Sequence, residues 1–237
     1  MEKAVYALWR PEDVSVDAFS RRLRGDVADA LLAAGVHGLQ VNVADETVAG
    51  ALIRIVEIEP QMEAVVSVWA DTLIDAARAP IDQALAAVSA RLAGYLVTES
   101  EPLPNTAHPA APGARTHGFA NLAFLRRPRE LPYGEWLDLW HNHHTQLAID
   151  TQSTFGYVQN VVVRPLTRDA LPFDAIVEEL FPPEALTDLN VFFDAVGDDE
   201  KLARNMAAMN DSTTRFGANR SVDVVPTSQY VLRPLRA

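Results

Sequence analysis

The order of predicted strands and helices in the first hundred residues most constrains the fold. The β-type runs are residues 4–9, 36–43, 62–69 and 96–99. One helical pattern lies between the first two runs, where Ser15 caps the helix and Gly35 ends it. A second lies between the last two runs, opens at Pro80 and continues to Tyr95. This order of elements places both helices on one face of an antiparallel sheet.

Such a ferredoxin-like unit leaves the second face of its sheet uncovered. About half of the apolar side chains of the sheet would then face water, so the unit needs a partner. The same order of elements recurs in the second half of the chain. The predicted strands there are residues 119–125, 155–163, 175–181 and 222–232, and the predicted helices are residues 132–151 and a segment from Asp198 or Asp199 to Phe216. Residues 178–181 would also fit a helix.

A weak internal match supports a duplication. Aligning Arg127 with Arg10 gives an offset of 127 − 10 = 117, at which each arginine is followed by proline. At the same offset Phe19 meets Trp136 and Leu23 meets Trp140, and after a two-residue insertion Gln40 meets Gln159. The matches fall in the same order of elements, so we interpret the chain as two diverged copies of one unit.

The fold predicted from this pattern is α+β, with two ferredoxin-like units (βαββαβ) in one chain. Residues 1–99 form the first unit, a proline-rich linker covers 100–117, and residues 118–237 form the second unit. Two such sheets packed face to face would make an intramolecular α+β barrel, which covers both open faces without a second subunit. A monomer or a homodimer is compatible with this arrangement.

Charge and composition exclude several classes of partner. The net charge of −12 argues against nucleic acid and anionic membrane surfaces, which are bound through clusters of lysine and arginine. The arginine bias of the positive charge fits a GC-rich bacterial genome. No apolar run approaches the ~20 residues of a membrane span, and the chain has no cysteine. A cytoplasmic protein without thiolate chemistry is the expectation.

The predicted helix 132–151 carries three of the six histidines beside tryptophan. Tyr133, Trp136 and Trp140 share its apolar stripe, and His144 lies ~40° from Trp140 around the helix axis. A titratable imidazole on a buried face needs a hydrogen-bond partner, a ligand or a chemical role, because burying it alone is costly. This helix is therefore the place to look for a site.

The second half resembles the EthD family of the dimeric α+β barrel superfamily. The spacing Trp140-x3-His144-x2-Leu147-Ala148 carries the resemblance, together with residues 173–181, 191–194 and 223–231. The resemblance covers about residues 118–232 and implies a ferredoxin-like fold that handles small apolar or aromatic substrates between sheet and helices, in several relatives without a cofactor. Such relatives include cofactor-independent monooxygenases, polyketide cyclases, muconolactone isomerases and haem-degrading enzymes. In the first half Val27 stands at the position of His144, so any site of this kind occurs once per chain.

His144 is the candidate catalytic residue. On an apolar face its charged form is disfavoured, which leaves a neutral imidazole that can accept a proton from a phenol or a carbon acid. The alternative is a core histidine held by a neighbouring hydrogen bond. His141 lies one turn away and could share a metal with His144, but the further ligands are missing from the local sequence, so we predict no metal and expect His141 and His143 to face solvent.

The candidate substrate-binding residues are Trp140, Trp136, Tyr133, Asn121 and Tyr157. The aromatic residues could form a pocket wall or simply pack, and Asn121 could donate to a substrate oxygen or be a surface amide. The match of Gln159 to Gln40 favours a structural role for both residues. We predict a cofactor-free protein that takes a small hydrophobic or aromatic molecule, and the sequence leaves open a monooxygenase, cyclase or isomerase, a binding protein without turnover, a haem-binding or haem-degrading protein, and a barrel whose pocket is filled.

Overall fold

In the computed structural model, which describes residues 1–235, eight strands form one closed antiparallel barrel. The strands are β1 (Glu2–Trp9), β2 (Gly38–Val43), β3 (Ala64–Ala70), β4 (Arg91–Leu103), β5 (Phe119–Leu125), β6 (Gly156–Pro165), β7 (Ala175–Phe181) and β8 (Val222–Arg233). Their order around the barrel is β1-β3-β2-β8-β5-β7-β6-β4, and β4 pairs with β1 to close it. The prediction that the chain builds one α+β barrel by itself is confirmed.

The helices pack on the outside of the barrel. They are α1 (Val16–Arg24), α2 (Asp26–Ala33), α3 (Asp75–Ala86), α4 (Tyr133–Asp138), a π-helical segment (Leu139–His144), α5 (Thr145–Thr151), α6 (Leu189–Phe192) and α7 (Asp199–Phe216). Two 3₁₀ turns lie at Glu46–Val48 and Pro183–Leu186. Within residues 1–235, none of the helices is both long enough and apolar enough to cross a membrane.

The two halves of the chain contribute four adjacent strands each. The first half supplies the run β4-β1-β3-β2, and the second half supplies β8-β5-β7-β6. The pairs β2–β8 and β4–β6 join the halves, so their sheets are hydrogen-bonded at both edges as well as facing each other. This closure removes the open sheet edges that would otherwise recruit another chain.

The alternation of side chains along each strand creates separate layers on the two sides of the barrel wall. On β7, Ile176 packs inside the barrel with residues of both halves, such as Val65 and Phe124. The neighbouring Val177 points outward and packs with Trp136 under the helices of the second half. The wall therefore has an inner surface shared by both halves and an outer surface that each half covers with its own helices.

The predicted helix that opens at Pro80 was placed too late in the chain. In the structure α3 begins at Asp75, contains Pro80 and ends at Ala86, so Tyr95 belongs to β4. Leu92 and Leu96 are four residues apart, which imitates a helix, but they pack on the outer layer while Tyr95 packs inside the barrel. The side chains of β4 alternate with the strand period of two, and so short an apolar run does not distinguish that period from the helix period of 3.6. β4 also runs to Leu103 and takes up the first residues of the predicted linker.

Gly118, directly before β5, provides a test of how closely the chain packs at this end of the barrel. Its φ is +70°, and a Cβ atom there would lie 1.8 Å from the backbone oxygen of Phe181. We expect Gly118→Ala to lower the free energy of unfolding by about 3 kcal/mol or more, because both the backbone conformation and the space exclude a side chain. Chemical denaturation would measure the change.

Gly134→Ala is the matched control. This glycine lies in α4, and a Cβ atom would meet nothing within 4 Å. Alanine should raise stability there by about 0.5–1 kcal/mol, since it is the better helix former. Equal stability of the two variants would contradict the close approach of Gly118 to β7.

Candidate functional site

The helix that carries the histidines is interrupted by a π-helical segment, Leu139–His144. The backbone N–H of Thr145 donates to the carbonyl of Trp140, five residues earlier, and the Thr145 hydroxyl donates to the same carbonyl at 2.9 Å. We name α4, the π segment and α5 together the interrupted helix. Short π segments inside α-helices are frequent at functional sites.

The wider turn changes which side chains face the core. His141 was expected to face solvent, but it is half-buried, its ring lies 4.4 Å from the Trp140 ring, and its Nε2 atom has no hydrogen-bond partner within residues 1–235. Burial lowers the pKa of His141. His143 is exposed as expected, with Nε2 3.5 Å from Asp138. An angular count that assumes 3.6 residues per turn throughout misplaces His141.

The predicted aromatic residues separate into a buried pair and a surface residue. Trp136 and Trp140 are fully buried, with ring centroids 5.3 Å apart. Tyr133, at the start of α4, is 47% exposed and touches only the edge of this pair, 6.2 Å from Trp136. Tyr133 therefore lies at the rim of the site.

Three polar residues lie in a row on the barrel wall. Asn121 on β5 pairs with Glu179 on β7, and Glu179 pairs in turn with Tyr157 on β6. All three alternate with inward-pointing neighbours and therefore face the helix layer. Two of them, Asn121 and Tyr157, were predicted from the sequence.

Glu179 was missed, although its sequence context carried a signal. It lies in the strand Ala175–Phe181 two residues after the outward-facing Val177, so alternation alone directs its carboxyl toward the helices. Burial raises the pKa of Glu179 to about 7. A carboxyl group with this pKa can both accept and donate a proton near neutral pH.

Several polar atoms in this layer have no partner. Neither Nε1 of Trp140 nor Oδ1 of Asn121 makes a hydrogen bond within the described residues, although both side chains are buried. Burial, then the charge of Glu179, raises the pKa of Tyr157, and the nearby Trp140 and Thr145 oppose the rise. The Trp140 indole therefore lies near the Tyr157 side chain, but its N–H makes no hydrogen bond to the Tyr157 hydroxyl. Unpaired buried donors and acceptors are costly, so a bound group that satisfied them would gain binding energy.

A hydrogen-bond relay that runs from the exposed Ser100 to the buried Gln159 and Thr145 fixes the interrupted helix to the wall. Nε2 of Gln159 donates to the Thr145 hydroxyl at 2.6 Å, and the Ser100 hydroxyl donates to Oε1 of Gln159 at 2.9 Å. The match of Gln159 with Gln40 is wrong, because Gln40 points into the barrel and donates to Glu178. Counted by strand pairing, Asn160 is the counterpart of Asn42, since a slip of one residue reverses the face of every side chain.

His144 lies at the outer edge of the same layer, against α7. Its Nδ1 atom is 2.9 Å from the Ser212 hydroxyl, and its ring centroid is 4.7 Å from that of Phe216. The residue is 7% exposed, and burial lowers its pKa to about 4. The imidazole is therefore neutral at pH 7. If Nδ1 carries the proton and donates it to Ser212, the lone pair of Nε2 is free.

The positions of the cavities and of possible metal ligands also bear on the site. In the described part of the chain, His144, Trp136 and Trp140 line none of the five main cavities, whereas Tyr157 lines one at an end of the barrel. In the described part of the chain, no three histidine, aspartate or glutamate side chains come together as a metal site.

Residues 129–215 match the model of the EthD domain. This range contains the interrupted helix, β6, β7 and most of α7. It therefore includes His144, Trp140, Tyr157 and Glu179, whereas Asn121 precedes it. The EthD match and the polar layer thus fall on the same part of the barrel.

Two solved structures share the architecture across nearly the whole chain. One is an anthrone oxidase-like protein, with a TM-score of 0.57 and 9% identity over 100% of this chain and 95% of that one. The other, from Fusobacterium nucleatum subsp. nucleatum ATCC 25586, is provisionally described as a monooxygenase and has a TM-score of 0.50 and 11% identity over 98% and 92% of the two chains. At these identities the likeness shows the fold alone. Comparison with curated protein sequences gives no match.

The buried neutral state of His144 predicts acid sensitivity. Its pKa of about 4 in the native state lies below the ordinary value of 6.5, so the unfolded chain binds the proton first as the pH falls. The contribution of the neutral imidazole to the free energy of unfolding is fully present above pH 6.5. It falls by about 2–3 kcal/mol as the pH drops from 6.5 to 4. In His144→Gln, the loss of unfolding free energy between pH 7 and 4.5 should shrink by that amount.

His143→Gln is the control, because this histidine is exposed. Its acid sensitivity should equal that of the natural chain. A His144→Gln variant with unchanged acid sensitivity would show that the imidazole is not buried in its neutral form.

Proposed function

We propose that the chain is a cofactor-independent enzyme that acts on a small aromatic or polyketide-like compound, as a monooxygenase, cyclase or isomerase. His144 is the general base. The step assigned to it is removal of a proton from a phenol or from a carbon acid next to a carbonyl. Nε2 takes the proton, and the electron pair remains on the substrate. In a monooxygenase, molecular oxygen is the co-reactant.

The observation that carries the proposal is the set of unpartnered polar atoms between the barrel wall and the interrupted helix. A substrate carbonyl or phenolate oxygen could accept from Nε1 of Trp140, and a substrate hydroxyl could donate to Oδ1 of Asn121. The apolar walls around these two atoms come from residues such as Trp136 and Val177. The main cavities do not reach these two atoms, so a flat substrate with few polar groups would have to displace part of this packing to meet them.

Two groups with different pKa values support proton-transfer chemistry in this layer. His144 is a free base throughout the neutral range, whereas Glu179 is about half protonated near pH 7. A pair of titratable groups whose environments separate their pKa values is a common basis for dividing acid and base roles. In this scheme Glu179 returns or relays a proton after His144 has removed one.

We infer further that each half is one ferredoxin-like unit and that both descend from one duplicated unit, with residues 100–117 as the connection. The support is a shared arginine clamp. The Arg10 guanidinium donates to the carbonyls of Pro11 and Val14, and the backbone N–H of Arg10 donates to Glu63, directly before β3.

Arg127 makes three matching bonds in the second half, although within the described residues its Nε atom lacks the partner that Glu63 provides to Nε of Arg10. Its guanidinium donates to the carbonyls of Pro128 and Leu131, and its backbone N–H donates to Asp174, directly before β7. The strand orders of the halves also agree. Because Val27 occupies the position of His144 in the first half, we assign one site to each chain.

The direct test is turnover of an aromatic panel that includes anthrones, naphthols and 1,3-diketones. Oxygen uptake and mass spectrometry of products would separate a monooxygenase from a cyclase or isomerase. We expect His144→Gln to lower kcat at least about 100-fold, the usual contribution of a general base. His143→Gln is the control and should keep full activity. A compound that is retained but never converted would identify a binding protein instead.

The pH dependence of kcat/KM tests the division of roles. We expect an inflection near pH 7 that disappears in Glu179→Gln, because the pKa of this carboxyl is about 7. His144 adds no inflection between pH 6 and 8, since its pKa is about 4. A His144→Gln variant that folds normally and keeps full turnover would remove the residue from the mechanism.

A further inference from the structure

A cavity of about 370 Å³ opens at one end of the barrel, where β4 and β7 end and β6 begins. We name this region the barrel mouth. Its lining includes Gln40, Glu101, Leu180, Glu178 and Gln229. Glu178 points inward from β7, whereas Tyr157 and Leu103 of the lining belong to the outer layer, so the cavity opens where the two layers meet at the end of the barrel. Neither Trp140 nor His144 lines it. The volume is at the lower end of the range for small-molecule pockets.

Glu178 is a buried carboxylate held by amides alone. It is 5% exposed, and Oε1 accepts hydrogen bonds from Asn42, Gln229 and Gln40 at 2.8, 2.7 and 3.0 Å. Oε2 accepts from Gln40 at 2.8 Å. Among residues 1–235, no lysine or arginine lies within ion-pair distance of Glu178. Amide groups thus provide hydrogen bonds to the carboxylate, but no cation among the described residues pairs with it. Oε2 can accept a hydrogen bond from a further donor.

A strap across the barrel mouth sets the orientation of these amides. The strap consists of residues 104–117, part of the predicted linker, and it is hydrogen-bonded to β8. The buried Thr116 donates its hydroxyl to Oε1 of Gln229 at 2.6 Å, and its backbone N–H bonds the Gln229 carbonyl at 2.9 Å. The Gln229 amide must therefore direct its N–H₂ group at Glu178. The carboxylate is held ready before any ligand arrives.

A second carboxylate stands at the rim. Partial burial and then the charge of Glu99 raise the pKa of Glu101, Lys3 opposes the rise, and the charge of Glu178 adds a smaller contribution to it. Lys3 is the nearby cation, but it forms an ion pair with Glu99 and lies over the Trp69 ring. Glu101 is thus a second carboxyl group of the cavity lining, beside Glu178.

A third acceptor lies deeper in the barrel. Asn160 follows the cavity-lining Val158 by two residues on β6 and faces inward, and it is 3% exposed. Its amide nitrogen donates to the carbonyl of Ile176, while Oδ1 has no donor within the described residues. Oδ1 of Asn160 is thus a further acceptor on the inner wall that a donor of a ligand could satisfy.

We propose that the barrel mouth binds a small organic cation, a primary amine on an apolar body. The ammonium group donates to Oε2 of Glu178 and to Glu101. Apolar residues of the lining, such as Leu103, Leu180 and Val231, contact the body of the molecule. The site shares Tyr157 with the layer of the proposed enzyme site, but its two carboxyl groups are not part of that layer, and the inference goes beyond the proposed function.

Calorimetric titration with 2-phenylethylamine tests the assignment, with 2-phenylethanol and 3-phenylpropionate as neutral and anionic probes of similar shape. We expect the amine to bind at least about tenfold more tightly than the alcohol, because a charge-assisted hydrogen bond is the difference between them. The carboxylate should not bind. Equal affinity for amine and alcohol, or no binding of the amine at millimolar concentration, would overturn the proposal.

Glu101→Gln is the decisive variant, because the residue lies at the rim and its loss should not affect folding. It should weaken amine binding at least about fivefold, whereas the exposed Glu184→Gln, outside the cavity, should leave it unchanged. Glu178→Gln should weaken binding further, provided that thermal unfolding shows a folded protein. Unchanged affinity in Glu101→Gln would contradict the site.

His144→Gln separates this proposal from the proposed enzyme function. Amine binding should be unchanged in that variant, since His144 lies outside the barrel wall. Loss of turnover with intact amine binding would support two independent sites, and loss of amine binding in His144→Gln would place the amine elsewhere.

Discussion

The pairing of β2 with β8 and of β4 with β6 is the constraint on which the rest of the structure depends. Each pair joins one half of the chain to the other, so neither half has a complete sheet without its neighbour. The inner cluster confirms this dependence, because Val5 and Val65 of the first half pack with Phe124 and Val225 of the second. Once the barrel is closed, every strand presents one face to the lumen and one to a helix layer, and both candidate sites follow from that division.

The barrel wall separates two kinds of polar environment on adjacent residues of one strand. Glu178 points inward to three amides, whereas Glu179 points outward to the layer beneath the interrupted helix. Strand alternation makes this separation unavoidable. Inside, the carboxylate accepts hydrogen bonds from three amides, and its Oε2 atom can accept a further donor. Outside, the carboxyl group has its pKa raised to about 7 by burial, which suits it to exchanging a proton.

The barrel could be predicted from the sequence, because the repeated order of strands and helices and the uncovered sheet faces leave few alternative folds. The bounds of β5 and β7 were predicted to the residue, although residues 178–181 of β7 would also fit a helix. The predicted helix over residues 80–95 was wrong, because the strand and helix periods cannot be distinguished there. The predicted exposure of His141 was wrong, because the π segment departs from regular helix geometry. The burial of Trp136, Trp140 and His144 followed from periodicity. The barrel mouth did not, because Gln40, Glu178 and Gln229 meet only through the closure of strands far apart in sequence.

Because both halves belong to one chain, a residue that faces the barrel interior in one half can differ from the residue at the equivalent position of the other half. In a barrel built from two identical subunits, a carboxylate at the place of Glu178 would face its own copy across the symmetry axis. Here the corresponding position on β3 is Ser67, which pairs with Val5 as Glu178 pairs with Leu122. The covalent connection also makes closure a unimolecular event, so dilution cannot open the lumen. An asymmetric charge inside the barrel is thus available to this chain and denied to a symmetric pair.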